Sequence, residues 1–570
     1  MTEREKMTNR ARANGCLNCI LGVLFMAALP LLRLCVAETS SVARASDDYF
    51  KPLLVSGRIT AAVCVIVDGD NPPVVKLYGP VNSEGSLWRV ASVSKVFTAI
   101  AIMQLAEQGK LQLDGDVNKY LKHIQVPNTF PQPITIRQLL IHRSGLDDRF
   151  VGDGFHSGPQ PAISQIMSAA LPKRVYPPDT VELYSNYGYG LLGVVIEDVT
   201  GQRFEDYVKA NVLQPMGMRD STFTQPLPEP SRMAPGRWFY QRSAPAAALT
   251  SNLDDMTRFL TSTLQEDKLV LSAHSFEEMT ARPDPAIRIL HGLGYWTGND
   301  RGHHLVGASG DSGSFHSVLM AFPDEHIGYF TLVSGGGDAV AWNFYEQFAT
   351  VSFGPKTTPE VHPVAVTGMT RANASRFAGF YRTVRYPHHD LSKTFILTDL
   401  KRVSVDRDGA LRVDGARWLP IGPLEFRKED GSDKLSFQTD ASGQVRFLNS
   451  SDERISWYEC GYANIAFYFI FIGLFISGAW KGKKMMRWIS AVVLLHCVGW
   501  LGVCLMIGPE NLIFGLPLGL KALLLIGTLL PLLAAASIYA AWRNRRTLNY
   551  ILAAAVLAYI PFVSYWNLKL

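Results

Sequence analysis

The stretch Ala91-Ser92-Val93-Ser94-Lys95-Val96-Phe97 decides how the rest of the chain is interpreted. Apolar residues recur at helical spacing from Lys95 to Gln108, which predicts a helix with Ser92 and Lys95 in its first turn. Residues three apart on a helix share one face, about 5–6 Å apart at Cβ, so the hydroxyl and the amine come within hydrogen-bonding reach. A serine hydroxyl becomes a good nucleophile when a neighbouring base takes its proton, and burial can make lysine that base by lowering its pKa. The spacing therefore predicts a nucleophile at Ser92 and a base at Lys95.

A second short motif, Tyr184-Ser185-Asn186, stands just before another helical pattern. We expect the Tyr184 phenol to relay the Ser92 proton to a leaving group, and the Asn186 amide to orient Lys95 or hold a substrate carbonyl. The spacing by itself is also typical of a packed tyrosine, and it recurs at Tyr462-Ala463-Asn464. The catalytic interpretation therefore depends on Ser92 and Lys95.

Strand patterns lie on both sides of these motifs, at 61–67 and 74–78 and again at 313–322 and 327–334. A helix capped by Thr135 and ended by glycine is predicted within Ile134–Leu146, and the sequence from there to about 300 is mostly typical of helix and loop. Because the strands come from distant parts of the chain, we expect one sheet flanked by helices.

Length, charge and the N-terminal segment set the broad class of protein. The 570 residues are enough for several domains, and the net charge of +5 is not gathered into one long run, which argues against nucleic-acid binding. Residues 1–37 are typical of an export signal or a retained anchor, with a basic start, an apolar run from Cys19 to Leu32 and a cleavage pattern at Cys35-Val36-Ala37. Five of the seven cysteines lie in hydrophobic end segments, so we expect no disulfide framework.

The C-terminal region contains four apolar stretches, at about 462–480, 489–508, 519–541 and 548–566, each long enough to cross a bilayer. Basic residues fill the first and last connections, Lys481–Arg487 and Arg543–Arg546, whereas residues 508–519 carry none. The positive-inside rule then places the basic connections in the cytoplasm and the preceding domains in the periplasm or outside the cell. We expect a multi-pass protein of the inner membrane, with buried core helices as the alternative.

Five motifs together resemble the serine β-lactamase-related family, which contains class C β-lactamases, penicillin-binding DD-peptidases, D-aminopeptidases and esterases. They are Ser92-x-x-Lys95, Tyr184-x-Asn186, the Leu-Leu-x-His-x-Ser-Gly core of Ile134–Leu146, Leu213–Met218 and Ala246–Leu260. The resemblance covers about residues 45–355 and implies an α/β fold, an antiparallel sheet flanked by helices with a helical subdomain, as in β-lactamases and transpeptidases. It also implies an acyl-enzyme mechanism in which Ser92 attacks, Lys95 and Tyr184 move protons, and Asn186 positions the substrate.

The third motif of the family departs from its usual pattern. Members usually carry Lys-Thr-Gly or His-x-Gly on the strand that lines the site, whereas the aligned segment Gly307–Gly313 has Ala308 in place of the cation or imidazole. The resemblance makes Ser309, Gly310 and Asp311 substrate-binding residues, with the Asp311 backbone N–H joining that of Ser92 in an oxyanion hole. Ala308 removes the group that would recognise a substrate carboxylate.

Two other sequence patterns are typical of different chemistry. Gly310-Asp311-Ser312-Gly313 mimics the nucleophile segment of trypsin-like proteases, but the helical middle region has no matching histidine context. His303-His304 and His388-His389-Asp390 lack further ligands at regular spacing, so we expect them on the surface or in strands, with no metal site. No cofactor is implied.

Residues 375–458 form short alternating runs separated by Asp-Gly and Ser-Gly turns, which predicts a small antiparallel β domain, with a barrel as one form it could take. It resembles the lipocalin-like module that often follows such hydrolase domains, and roles as a spacer or as a rim of the substrate site are equally open. The predicted order is a signal or anchor at 1–37, a hydrolase domain at 45–355, the β domain at 375–458 and four membrane helices within 462–567.

The whole pattern predicts a membrane-anchored, exported serine hydrolase that cleaves an amide or ester, with a small D-amino-acid-containing peptide or an ester as substrate. The combination with membrane helices resembles the colibactin-type prodrug peptidases, which remove an N-acyl-D-amino-acid cap but have three such helices. Cell-wall D-peptide hydrolysis and esterase action are alternatives. Two alternatives are not enzymes. One is a catalytically silent sensor or binding module, which the alanine at position 308 favours, and the other is a carrier for a lipid or an exported product.

Overall fold

A computed structural model describes residues 41–81, 85–155, 161–169, 171–228, 232–265, 269–281, 289–355, 369–429, 433–506 and 509–570. The predicted export signal at 1–37 lies outside these residues. Three units follow one another along the described chain: an α/β unit, a β-barrel and a group of long apolar helices.

The strands of the α/β unit form one large sheet and two short pairs. They are β1 (Ala61–Asp68), β2 (Val74–Tyr78), β3 (Trp88–Arg89), β4 (Gly154–Phe155), β5 (Tyr240–Gln241), β6 (Thr250–Ser251), β7 (Ile289–His291), β8 (Trp296–Asp300), β9 (His303–Ser312), β10 (Phe315–Phe322) and β11 (Ile327–Ser334). The large sheet is antiparallel with the order β2-β1-β11-β10-β9-β8-β7, so β1 pairs with β11 from the far end of the unit. This arrangement confirms the predicted fold class.

Helices cover both faces of this sheet. They are α1 (residues 41–55), α2 (Ser94–Glu107), α3 (Ile136–Leu140), α4 (Ile163–Ser168), α5 (Asn186–Thr200), α6 (Phe204–Val208), α7 (Ala244–Ala247), α8 (Leu253–Leu264), α9 (Ala273–Met279) and α10 (Asp338–Phe353). Successive residues of a strand point to opposite faces, so Val63 and Val65 join a core that contains α2 and α8. Cys64 and Ile66 join the opposite core, which contains α1 and α10.

Two local predictions were wrong in their boundaries. The helix within Ile134–Leu146 is capped by Thr135, but it ends at Leu140 rather than at a glycine, because His142 adopts a left-handed backbone with φ of +58°. The predicted strand 313–322 begins only at Phe315, because Gly313, with φ of +64°, lies in the turn between β9 and β10.

The second unit begins with α11 (Arg371–Ala374) and is a closed antiparallel barrel of eight strands. They are β12 (Gly379–Thr383), β13 (Lys401–Val405), β14 (Leu411–Val413), β15 (Ala416–Pro420), β16 (Glu425–Lys428), β17 (Lys434–Thr439), β18 (Val445–Leu448) and β19 (Asp452–Ile455). Side chains such as Tyr381, Phe426 and Phe437 fill its interior. The predicted turn at Asp430-Gly431 lies outside the described residues.

The last unit contains α12 (Gly461–Lys481), α13 (Lys484–Met506), the short α14 (Pro509–Leu512), α15 (Leu518–Asn544) and α16 (Thr547–Tyr565). Four of these helices are long and apolar enough to cross a membrane. Their outer faces expose large apolar side chains such as Phe469, Leu532 and Ile538, which is typical of helices surrounded by lipid. The unit could therefore span a bilayer.

Candidate active site

Ser92 lies in a single 3-10 turn, Ala91–Val93, which leads directly into α2. The sequence predicted Ser92 inside the helix itself, but the turn precedes it and Lys95 is the second residue of α2. Ala91 has φ of +50°, a left-handed conformation that is uncommon for any residue except glycine. The chain thus bends sharply just before Ser92, whose side chain lines the main cavity of the α/β unit.

The structure brings the three predicted catalytic residues and Asn186 into one hydrogen-bonded group. The Lys95 Nζ donates to Ser92 Oγ at 3.1 Å, to Asn186 Oδ1 at 2.8 Å and to the Ala246 carbonyl oxygen at 2.9 Å. The Tyr184 hydroxyl donates to Ser92 Oγ at 2.9 Å. Ser92 Oγ therefore touches both groups that could receive its proton.

Burial and charge adjust the two partners of Ser92 in a direction that favours proton transfer. Burial lowers the pKa of Lys95, whose side chain is almost fully enclosed. Burial alone would raise the pKa of Tyr184, but the positive charges of Lys95 and Arg385 outweigh it, so this pKa lies below its ordinary value. Both shifts bring the two groups closer to the pH range in which a general base works well.

Strand β9 packs directly on the turn that carries Ser92. A Cβ atom on Gly310 would lie 2.2 Å from the Val90 carbonyl oxygen and 2.7 Å from the Ser92 nitrogen, so only glycine fits. The Ser317 hydroxyl donates to the same Val90 oxygen at 2.8 Å and fixes the turn against the sheet. This contact brings the backbone around Gly310 and Asp311 next to the Ser92 N–H, as the predicted oxyanion hole requires.

Ser309, Gly310 and Asp311 line the same cavity as Ser92, Lys95, Tyr184 and Asn186, so all seven predicted site residues meet there. The cavity has a volume of about 600 Å³. Its lining also includes four groups that the sequence did not single out as functional: His142, Asp148, His291 and Arg385.

Two imidazoles pack beside the Tyr184 phenol. The ring of His142 lies 4.2 Å from that of Tyr184, and its Nδ1 accepts the Ser185 backbone N–H at 3.1 Å. Burial lowers the pKa of His142 well below its ordinary value, so this ring is neutral. The His291 Nδ1 lies 2.5 Å from Glu182 Oε1. The Leu-Leu-x-His motif was the sequence feature that could have identified His142.

Asp148 is a partly buried carboxyl group beside the N-terminus of α5. It accepts the Tyr187 backbone N–H at 3.1 Å and lies 3.4 Å from the Ser185 hydroxyl, which donates to it. Burial raises the pKa of Asp148 to about 6. Its contacts with Ser185 and Tyr187 hold the helix terminus that presents Asn186 to Lys95.

Arg385 reaches the cavity from the barrel unit, on the connection that follows β12. Its Cζ lies 4.1 Å from the centre of the Tyr184 ring. The same connection contributes Tyr386, Phe395 and Ile396 to the cavity lining. A role of the β domain at the rim of the substrate site was one of the two predicted possibilities, but no residue of this connection was singled out, because no catalytic set stands out in the barrel segment.

The histidine pairs considered as metal ligands have other partners. The His388 and His389 Nδ1 atoms lie 3.0 and 2.8 Å from the carboxylate of the buried Asp147, and the His303 Nδ1 lies 2.5 Å from Glu325. Within the described ranges, no group of three or more His, Cys, Asp or Glu side chains could hold a metal ion.

Comparisons with known proteins agree on the α/β unit. The family model described as Beta-lactamase matches residues 47–348. Protein flp of Staphylococcus aureus strain N315 is 27% identical over 314 residues, which covers 50% of this chain and 62% of that relative. Penicillin-binding protein 4 of Amycolatopsis lactamdurans is 33% identical over 167 residues, covering 28% of this chain and 44% of that protein.

These curated relatives are therefore matched over less than two thirds of their own length. Among solved structures, that of SurE with D-Leu covers 74% of this chain and 100% of its own, with a TM-score of 0.51 and 20% sequence identity. At 20% sequence identity this similarity shows that the two proteins share a fold, and no more than that.

Proposed function

The chain belongs to the beta-lactamase family and is a serine hydrolase, and on this premise we propose that it cleaves an amide bond in a small D-amino-acid-containing peptide through an acyl-Ser92 intermediate. The observation that carries the proposal is the pair of contacts at Ser92 Oγ, 3.1 Å from the Lys95 Nζ and 2.9 Å from the Tyr184 hydroxyl. The D-peptide substrate class is supported by the family motifs, which are shared with DD-peptidases and D-aminopeptidases.

In the acylation step, Ser92 Oγ attacks the substrate carbonyl carbon while its proton passes to the Lys95–Tyr184 pair. The backbone N–H groups of Ser92 and Asp311 stabilise the resulting oxyanion, and Asn186 holds Lys95 and the substrate amide. When the C–N bond breaks, Tyr184 returns the proton to the leaving nitrogen. Water then attacks the acyl carbon and gives a proton to the same pair, which passes it to Ser92 Oγ as the acyl C–O bond breaks and the carboxylic acid leaves.

The phenol beside Ser92 supports an amide rather than an ester as the substrate. An amine is a poor leaving group unless it receives a proton, whereas an activated alcohol departs without one. The Tyr184 hydroxyl contacts Ser92 Oγ, so it lies next to the position that the leaving nitrogen must occupy when the tetrahedral intermediate breaks down. Release of an activated alcohol would not require a proton from this group.

We further propose that the four apolar helices anchor the enzyme in the inner membrane with its cavity on the periplasmic or outer side. The α/β unit contacts the connection between α13 and α15: Gly152 and Gly154 donate to the carbonyl oxygens of Leu512 and Ile513 at 3.2 and 2.7 Å. The two basic connections, Lys481–Arg487 and Arg543–Arg546, lie at the other ends of these helices. This placement supports basic connections in the cytoplasm and the hydrolase on the opposite side.

A fluorophosphonate probe, which reacts with activated serines, tests the proposal on the full chain in detergent. We expect covalent labelling of the wild type, loss of labelling in Ser92→Ala, and unchanged labelling in Ser312→Ala. Ser312 is the matched control because it is the serine of the trypsin-like pattern Gly310–Gly313.

A second assay follows the amine released from a D-alanyl-D-alanine peptide, which we expect Ser92→Ala to lose as well. Labelling that persists in Ser92→Ala would refute the proposed nucleophile. A wild type that neither labels nor releases amine would instead support the silent binding module.

A further inference from the structure

We propose that Arg385 binds the carboxylate of the amino acid that the enzyme releases, so that the chain acts as a carboxypeptidase on substrates with a free C-terminus. This inference rests on the proposed acyl-Ser92 function and names its substrate class. In this proposal Arg385 supplies the positive charge that is missing at Ala308. Ala308 and Arg385 line the same cavity, Ala308 from β9 and Arg385 from the barrel unit.

Arg385 is a cation whose charge is not engaged by a carboxylate. Among the residues that the structure describes, its guanidinium has no hydrogen bond or ion pair, and its contact is the face of the Tyr184 ring. Lys95, the other cation of the cavity, already donates to Ser92, Asn186 and Ala246. Arg385 is therefore available to an anionic ligand, and guanidinium binds carboxylates through two parallel hydrogen bonds.

The carboxylates in the cavity have other partners. Asp148 accepts backbone N–H groups at the start of α5, and Asp311 Oδ1 lies 2.9 Å from the His316 Nδ1. Asp338 Oδ1 accepts the Ala339 backbone N–H at 2.7 Å. Within the described part of the chain, none of the three is recorded as a partner of Arg385, so a substrate carboxylate would not have to displace a protein one.

The position of Arg385 fits the carboxylate of the leaving residue. During C–N bond cleavage the leaving nitrogen lies next to the Tyr184 hydroxyl, which protonates it. In an amino acid the carboxyl carbon is two bonds from that nitrogen, about 2.5 Å away. The Arg385 Cζ lies 4.1 Å from the centre of the same Tyr184 ring. A free α-carboxylate would thus come within reach of the guanidinium when the nitrogen is correctly placed for protonation.

The backbone around Arg385 is held on both sides, so the point from which its exposed side chain extends toward the cavity is fixed before substrate binds. Val384 is fully buried, and its N–H donates to the Ser451 carbonyl oxygen at 2.8 Å. The Arg382 side chain donates to Glu453 at 2.6 Å, and the His388 N–H donates to Asp147 at 3.0 Å. Anchors on the barrel and on the α/β unit therefore flank the residue, which reduces the entropy lost on binding.

The test uses two substrates that differ only at the C-terminus: N-acetyl-D-alanyl-D-alanine and its C-terminal amide. We expect the wild type to hydrolyse the acid with the higher kcat/KM, and Arg385→Gln to lower the acid-to-amide ratio by about 10- to 100-fold, the range for a lost charge-assisted interaction. Arg385→Lys should retain part of the preference, since the charge remains but the planar fork is lost. Any effect of Arg385 on the Tyr184 pKa acts on both substrates and cancels in the ratio.

The matched control is Arg402→Gln, which removes an exposed arginine of the barrel strand β13 and should leave the ratio unchanged. If Arg385→Gln still labels with fluorophosphonate but keeps the wild-type ratio, the carboxylate site is wrong and the acyl-Ser92 function stands. A wild type that labels yet shows no preference for the acid leads to the same conclusion. Absence of labelling in the wild type would overturn both proposals.

Discussion

Replacing Gly310 by alanine should disable the enzyme without changing Ser92, Lys95 or Tyr184, the side chains that exchange protons in the proposed mechanism. The new Cβ would lie 2.2 Å from the Val90 carbonyl oxygen, 2.7 Å from the Ser92 nitrogen and 2.8 Å from the Ser317 Oγ. Non-bonded carbon and oxygen atoms need a little over 3 Å, so β9 and the turn that carries Ser92 must separate by about 1 Å. A misplacement of that size at an active site can cost on the order of 100-fold in rate. We therefore expect the fluorophosphonate labelling rate to fall about 100-fold.

The control for this prediction is Gly188→Ala in α5, where the added Cβ would meet its neighbours at 3.5 Å or more, an ordinary contact. Labelling rates are measured at several probe concentrations, and circular dichroism checks that both variants are folded. A folded Gly310→Ala variant that labels as fast as the wild type would show that β9 does not position Ser92. The same result would contradict the assignment of the oxyanion hole to the Ser92 and Asp311 N–H groups.

Three further predictions concern the groups around Ser92. Lys95→Met keeps the length of the side chain but removes the amine, so labelling should slow by about 10²- to 10⁴-fold, the usual worth of a general base; an unchanged rate would exclude Lys95 from proton transfer. Tyr184→Phe should slow amide hydrolysis far more than hydrolysis of a p-nitrophenyl ester, whose leaving group needs no proton; equal losses would contradict a role in protonating the amine. Asp148 has a pKa raised to about 6 by burial, so its contribution to stability is complete below about pH 4 and is lost as the pH rises through 6. The free energy of unfolding of the wild type, measured by thermal denaturation, should therefore fall between about pH 4 and pH 6 relative to that of Asp148→Asn. The expected decrease is roughly 3 kcal/mol for a difference of about two pH units between the folded and unfolded pKa values. Parallel pH profiles of the two proteins would contradict this prediction.

The hydrogen-bonded group around Ser92 could be predicted from the sequence because its residues lie in short motifs with a physical reason for their spacing. Ser92 and Lys95 are one helical turn apart, and the structure places their side-chain atoms 3.1 Å from each other. Tyr184 and Asn186 flank a helix N-terminus, which is a local feature that capping residues reveal. Local spacing and the family motifs were sufficient for this part of the site.

Arg385 could not be found in that way, because its place depends on how two units pack. The connection after β12 reaches the cavity through contacts with Asp147 and Glu453, residues that are far apart in the sequence. The periodicity of the barrel segment predicts its strands but not its contacts with another unit of the chain. Ala308 alone suggested a site without a cation for the substrate, whereas the folded chain brings a guanidinium into the cavity from another unit.

The barrel and the early end of α3 illustrate two other limits of predicting structure from sequence. Strands such as β14, with three residues, are too short to be counted from alternating patterns, so the sequence predicted a small antiparallel β domain with a barrel as one form, but not the number of its strands. The end of α3 depends on His142, whose left-handed backbone is uncommon for any residue except glycine and is not marked by a local sequence pattern. Contacts of its ring with Tyr184 and of its Nδ1 with Ser185 accompany this conformation, and both come from tertiary structure.

The measurement that tests the central claim most directly is mass spectrometry of the enzyme quenched in acid during turnover of an N-acyl-D-alanyl ester. Trypsin cleaves after Arg89 and Lys95, so Ser92 lies on the peptide Val90–Lys95. We predict that this peptide gains the mass of the acyl group and that fragment ions place the group on Ser92 rather than on Ser94. An enzyme that hydrolyses the ester while this peptide stays unmodified, or carries the acyl group on another residue, would contradict the account.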